Sequence, residues 1–369
     1  MAPVKCEVYG CLVVLEGGAF SGAKSALMRA PSHRTMAKEG MDMRPIHVRT
    51  PLLRREAAAR APGDGGKDQR DVWLKMDALQ PSGSFKLRGV GRCVQMAKKN
   101  GADCVVSSSG GNAGLAAAYA ARAVGIPATV ILPDSTPEFV ADKLRGLGAD
   151  VWRHGKDWNE ADQKARSVVQ ERGAAYVHPF HGEDTWEGHA SLVEEVLDDL
   201  AAMGEPMPAV FVVAVGGGGL LMGVLRGLKK AGLEGLVHVI AAETIGADCL
   251  SQALKVGRPV PLASIDSVAK SLGAPAPSQE IFDVAHQAYQ DGWLKSWTCE
   301  DRDAVRACLE FADEKKVLVE PACGAALAAV NALEAILPGN RGPVVVEVCG
   351  GSAVDMASLS SLAREFNLQ

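Results

Sequence analysis

The stretch AVFVVAVGGGGLLMGVLRGL, residues 209–228, decides the fold. Its length and apolarity would suit a membrane span, but four glycines in a row, at 216–219, interrupt it midway. A strand, a tight loop and a helix is the reading that accounts for all three parts. The same theme recurs on either side. DVWLKMDAL (71–79) precedes PSGSFKLRGVGRCVQMAKKN (81–100), and DCVVSSSGGNAG (103–114) runs into AGLAAAYAARAVG (113–125). Near the end, GPVVVEVCGGS (342–352) precedes AVDMASLSSLAREF (353–366). Residues 128–132, 149–152 and 237–243 are further strand candidates. Continuous β-branched runs alternating with helices predict an α/β fold of parallel sheets covered by helices on both faces. Ligands bind such sheets at the carboxyl ends of strands, where every glycine cluster of this chain falls.

A chain of 369 residues is long enough for about two domains. Its 39 basic and 44 acidic residues leave a net charge of −5, which argues against a nucleic-acid partner, and no stretch argues for a membrane. Nine cysteines, an odd number without a C-x-x-C pair, fit reduced thiols better than a disulfide framework or a zinc site. That favours a cytoplasmic location. Residues 1–43 read as a poorly ordered extension; were they a transit segment, the location would be mitochondrial. The segment 61–70 reads as a polar loop.

Four loops hold chemistry-bearing residues. In PSGSFKLRG, Lys86 stands just inside a helix start, where the positive end of the helix favours the neutral amine. Taken alone such a lysine is solvated surface. In SSSGGNAG, backbone N–H groups with Ser109 and Asn112 form an anion cradle or merely a close-packing turn. VGGGGLLMG lacks both the G-x-G-x-x-G and the G-x-x-x-x-G-K-[ST] signatures, so a single phosphate of a non-nucleotide cofactor is the ligand it suits. Cys349 ends a strand, as a structural thiol or a weak neutral hydrogen-bond partner. His178, His181 and His189 show no metal spacing and read as loop and core residues.

Together these loops resemble the fold-type-II pyridoxal-phosphate enzymes, and within them the serine/threonine dehydratases. PSGSFKLRG, SSSGGNAGLAAAYAAR, TWEGHASLVEE, VGGGGLLMGV, AAETIGA, VAKSLGA and LVEPACGAALAAV carry the resemblance, in order, from about Ile46 onward. It implies a two-domain, tryptophan synthase β-like fold with the cofactor between the domains. The large domain would comprise 44–90 and 156–369, and the small domain 91–155. It implies pyridoxal 5'-phosphate attached to Lys86, with its phosphate held by Gly216, Gly217, Gly218, Gly219 and Leu220. Phe85 would lie against the pyridine ring, Asn112 would bond its phenolic oxygen and Cys349 would face its nitrogen. Ser109, Gly110, Asn112 and Ala113 would grip the substrate carboxylate. A cation such as K⁺ would sit near Gly216, Glu243, Ala247, Leu272 and Ala274.

The implied reaction is elimination of water from L-serine or L-threonine followed by loss of ammonia, in a homodimer with a small amino acid as its partner. Racemisation is disfavoured, because related racemases carry a serine where Gly110 stands. A sulfhydrylase would be expected to show a T-S-G-N-T loop and a serine in place of Cys349. A cofactor-binding regulatory protein with little catalysis is the alternative from another class. Gly110 keeps it open, since the liver-type dehydratase has alanine there and glycine loosens the loop.

Overall fold

Six strands build the larger sheet, in the order β1-β2-β10-β7-β8-β9. They are β1 (Leu52–Arg55), β2 (Val72–Lys75), β7 (Val210–Ala214), β8 (His238–Thr244), β9 (Leu294–Cys299) and β10 (Val344–Glu347). A four-stranded sheet, in the order β5-β4-β3-β6, comprises β3 (Val105–Ser107), β4 (Ala128–Leu132), β5 (Asp150–Arg153) and β6 (Ala175–Tyr176). In this computed structural model the described residues are 44–55 and 70–368. The expected extension at 1–43 and nearly all of the polar loop at 61–70 lie outside them. The described residues pack as one compact unit.

The central strands β7, β8 and β10 are buried along nearly their whole length, as their unbroken apolar sequences require. Val210, Val212, Val344 and Val346 face one core, whereas Phe211, Val213 and Val345 face the other. The alternation is that of a sheet covered on both sides. Among the described residues no helix is long and apolar enough to cross a membrane. Of the four successive glycines, Gly216 to Gly218 lie in the loop after β7 and Gly219 opens the helix Gly219–Lys230.

Three features depart from the expected pattern. β1 pairs antiparallel to β2, so the larger sheet is mixed rather than wholly parallel. β9, LKSWTC, is half-polar because it closes the sheet as an edge, and it lacks the continuous apolar run that marks the central strands. The smaller sheet reaches residue 176 through β6, past the boundary expected at residue 155. The helix Trp158–Arg172 follows β5 and packs on β3 and β4, which draws β6 into that sheet.

Candidate functional site

Lys86 opens the helix Lys86–Lys99 after a turn in which Gly83 adopts φ +80° and its N–H donates to Gln80 O at 2.7 Å. The amine donates to the carbonyl of Pro179 at 2.7 Å. Burial pushes its pKa from 10.5 down to about 8, with Cys349 opposing the shift. A lysine held in this way is a nucleophile near neutral pH.

The first turn of that helix rests on a buried ionic cluster. Arg88 donates to Asp77 through Nε at 2.6 Å and to both oxygens of Glu195 at 2.8 Å. Lys75 reaches Glu195 at 2.7 Å and Thr50 Oγ1 donates to Asp77 at 2.7 Å. Burial would raise the Glu195 carboxyl, yet hydrogen bonds from Arg88, His47 and Lys75 hold it well below the usual range. Removing one partner of such a cluster costs about 3–5 kcal/mol, so the helix cannot shift its register freely. His189 is core as well. Its ring lies 5.1 Å from that of Phe85, and burial keeps it neutral.

The glycine loop is shaped for something small and negatively charged. Gly218 takes φ +85° and caps the helix Gly219–Lys230 with no side-chain bond, leaving the first N–H groups of the helix free for an anion. A Cβ at Gly217 would lie 2.5 Å from the ring of Phe180, and one at Gly218 would lie 2.5 Å from Ile281 Cγ2. Only bare backbone fits here, as a close-held phosphate requires. Gly218→Ala adds about 1–2 kcal/mol of backbone strain to that clash. We expect it to raise the dissociation constant for the phosphate-bearing cofactor that the resemblance implies about tenfold or more, measured by titration of cofactor-free protein.

Phe180 follows the carbonyl that holds Lys86, which brings lysine and glycine loop together around residues 179–180. No sequence pattern singled out Phe180. The second loop, Ser109 to Ala113, leads into the helix Asn112–Val124, capped by Gly111 without a side-chain bond. Ser109 Oγ accepts from Gly111 N at 3.3 Å, and Ala113 is buried. This is a second free helix N-terminus suited to a carboxylate. Asn112 bonds across to the C-terminal loop, where its Oδ1 accepts from Ser352 N and Ser352 Oγ, both at 2.9 Å.

Cys349 stands beside the lysine turn. Its carbonyl accepts from Phe85 N at 3.1 Å, and Ser84 pairs with Gly350, so the end of β10 is tied to the lysine turn. A hydrogen bond with Cys323, together with burial, pushes the Cys349 thiol well above its ordinary value and keeps it neutral. Phe85 lies beside it, with the Lys86 amine 5.0 Å from the ring centroid.

The five residues expected near a cation gather at the start of the helix Cys249–Val256. Glu243 accepts from Leu250 N at 2.9 Å and Ser251 N at 2.8 Å, and burial raises its carboxyl to about 8. The Gly216 carbonyl accepts from the Cys249 thiol at 3.3 Å, and that of Leu272 from Ala274 N at 2.7 Å. Ala247 pairs with Thr244. Among the described residues no group of three His, Cys, Asp or Glu side chains could hold a metal ion. Any cation here would depend on carbonyl oxygens with a single carboxylate.

Residues 43–350 match the family described as pyridoxal-phosphate dependent enzymes. The chain is 45% identical over 326 residues to the human protein named serine dehydratase-like, covering 86% of this chain and 94% of that one. It is 41% identical over 331 residues to the mouse L-serine dehydratase/L-threonine deaminase, with coverages of 88% and 97%. A solved fungal L-serine ammonia-lyase from Rhizomucor miehei superposes with a TM-score of 0.76 at 32% identity, covering 87% of this chain and 99% of that one.

Proposed function

This chain belongs to the pyridoxal-phosphate dependent enzymes, and from that premise we propose that it is an L-serine and L-threonine ammonia-lyase. It converts serine to pyruvate and ammonia, and threonine to 2-oxobutanoate and ammonia. The observation that carries the reading is the desolvated Lys86 amine, within electrostatic reach of a neutral thiol and joined through residues 179–180 to a glycine-lined helix N-terminus.

The residues fit the cofactor, because the cradle at Gly217, Gly218 and Gly219 admits only backbone and its helix N-terminus is uncapped. When bound, pyridoxal phosphate supplies the electron sink that lets the substrate lose its α-proton and then its β-hydroxyl. Lys86 Nζ would hold the cofactor, and the same amine, when free, would take the α-proton as general base. The N–H groups of the loop at 109–113 orient the substrate carboxylate. Cys349, an uncharged thiol, would face the ring nitrogen without stabilising a charge on it, and a weaker sink would favour prompt elimination.

A monovalent cation, K⁺ by its preference for carbonyl oxygens, a cytoplasmic location and a homodimer are part of the same proposal. The buried Glu243 carboxyl supports the cation, which would offset the cost of its charge. The described cysteines are all free thiols, which supports a reducing compartment. The test is formation of pyruvate from serine by purified protein loaded with pyridoxal phosphate, in potassium and in tetramethylammonium buffer. Activity in neither buffer would sink the reading; equal activity in both would remove the cation from it.

Gly110 decides how tightly the substrate is held. A Cβ there would lie 3.0 Å from Leu132 Cδ2, 3.4 Å from Thr136 Cγ2 and 3.7 Å from Val140 Cγ1. These are side-chain tips that can yield by a few tenths of an ångström. Gly110→Ala should therefore stiffen the loop and raise kcat/KM for serine by up to about fivefold, or ~1 kcal/mol. A fall in kcat/KM would show that Leu132 does not yield.

A further inference from the structure

The motif LVEPACGAALAAV contains an acid that none of the steps above uses. We propose that Glu320 is a positioning residue, fixing the side-chain amide of Asn112 with its nitrogen as the donor facing the cofactor's phenolic oxygen. The proposal rests on the pyridoxal-phosphate reading for the identity of that oxygen.

Glu320 is the N-cap of the helix Pro321–Ala329, yet its carboxylate makes no capping bond to that helix. It is 4% exposed and takes donors from three separate parts of the chain. Asn112 Nδ2 donates to its two oxygens at 3.2 and 3.3 Å, Ala353 N donates at 2.8 Å, and Ser271 Oγ donates as well. An acid that gives up capping its own helix for such partners is placed for them.

An amide presents a donor at one end and an acceptor at the other, and its two flips have nearly the same shape. The surroundings of Asn112 leave no choice between them. On one side the backbone N–H of Ser352 can only donate, so Oδ1 must face it. On the other side the Glu320 carboxylate can only accept, so Nδ2 must face it. The flipped amide would set N–H against N–H and oxygen against carboxylate. With one Nδ2 hydrogen directed to Glu320, the second is left for an acceptor in the cleft, beside which Asn112 stands half-buried. An anionic oxygen on the cofactor needs a donor there; the other flip would present a lone pair.

The experiment compares Glu320→Gln and Glu320→Ala with the wild-type full-length chain, each with and without cofactor. In cofactor-free protein labelled with ¹⁵N-asparagine, NMR reads the Asn112 side-chain amide and its exchange with solvent. In loaded protein, absorbance and titration read the cofactor band and its dissociation constant. Loss of one charge-assisted hydrogen bond in Glu320→Ala should speed Asn112 exchange about tenfold, weaken cofactor binding about tenfold and shift the band. In turnover, kcat should fall while KM for serine moves by less than about threefold. Glu320→Gln keeps an acceptor oxygen and should lie between alanine and wild type, a rescue that loss of packing alone would not give. Wild-type exchange and an unmoved band in either variant overturn the proposal, and the glutamine variant decides it should the alanine variant fail to fold. If wild-type protein binds no pyridoxal phosphate, the functional reading fails, while the Asn112 resonances still report whether Glu320 holds the amide.

Discussion

Protein carrying Lys86→Ala will hold no covalent cofactor, and its production of pyruvate will fall by about a thousandfold or more. The loss combines the missing attachment point with the missing general base, each worth orders of magnitude. Mass spectrometry after borohydride reduction checks the first part: wild type gives a pyridoxyl adduct on Lys86, and an adduct on another lysine would remove the mechanism. The low pKa adds a dependence on pH. The neutral amine is the attacking form, so attachment to cofactor-free wild type should speed up as pH rises through about 8, rather than through the ordinary 10.5. Burial of the amine is what moves that window toward neutrality.

Cys349→Asp is expected to turn the enzyme away from elimination. The native thiol is neutral because Cys323 and burial hold its proton. A carboxylate in its place would favour the protonated form of a ring nitrogen facing it, and that stronger sink would weaken the coupling between loss of the α-proton and loss of the hydroxyl. Pyruvate formation should drop about tenfold, which corresponds to 1.4 kcal/mol of barrier. Exchange of the serine α-proton with deuterium oxide should rise relative to product. Cys349→Ser stays neutral and should leave that ratio near the wild-type value. An unchanged ratio in the aspartate variant would reduce Cys349 to a structural thiol. Thermal unfolding belongs with the assay, because the buried Glu347 carboxyl already contributes to the Cys349 environment and another acid adds to it.

The sequence was legible where one residue type has one physical use. Four glycines after VVAV announced a loop that only bare backbone can form, and the clashes at Gly217 and Gly218 show why. Strands β4, β7 and β10 were legible because burial on both faces leaves only apolar residues. β1 and β9 were not, since edge strands mix polar and apolar residues and their pairing is set by neighbours distant in sequence. The ionic cluster under Lys86 was illegible for a similar reason. Thr50, Asp77, Arg88 and Glu195 lie up to 145 residues apart, and none carries a local pattern. Glu320 stood inside a quoted motif, but its role depends on Asn112 and Ser352, which the chain brings to it only on folding.

The order of strands also bears on how the protein is made. β10, at residues 344–347, lies in the middle of the larger sheet between β2 and β7. Strands β2 and β7 therefore leave the ribosome with one edge unpaired, and they wait until residues 344–347 have been synthesised. The smaller sheet, complete by residue 176, can form long before. Nascent chains pass through a stage with one sheet folded and two apolar strand edges open, the kind of surface that binds holding chaperones or aggregates. A premature stop after β8, at residue 244, and before residue 344 would leave a polypeptide in that condition for good.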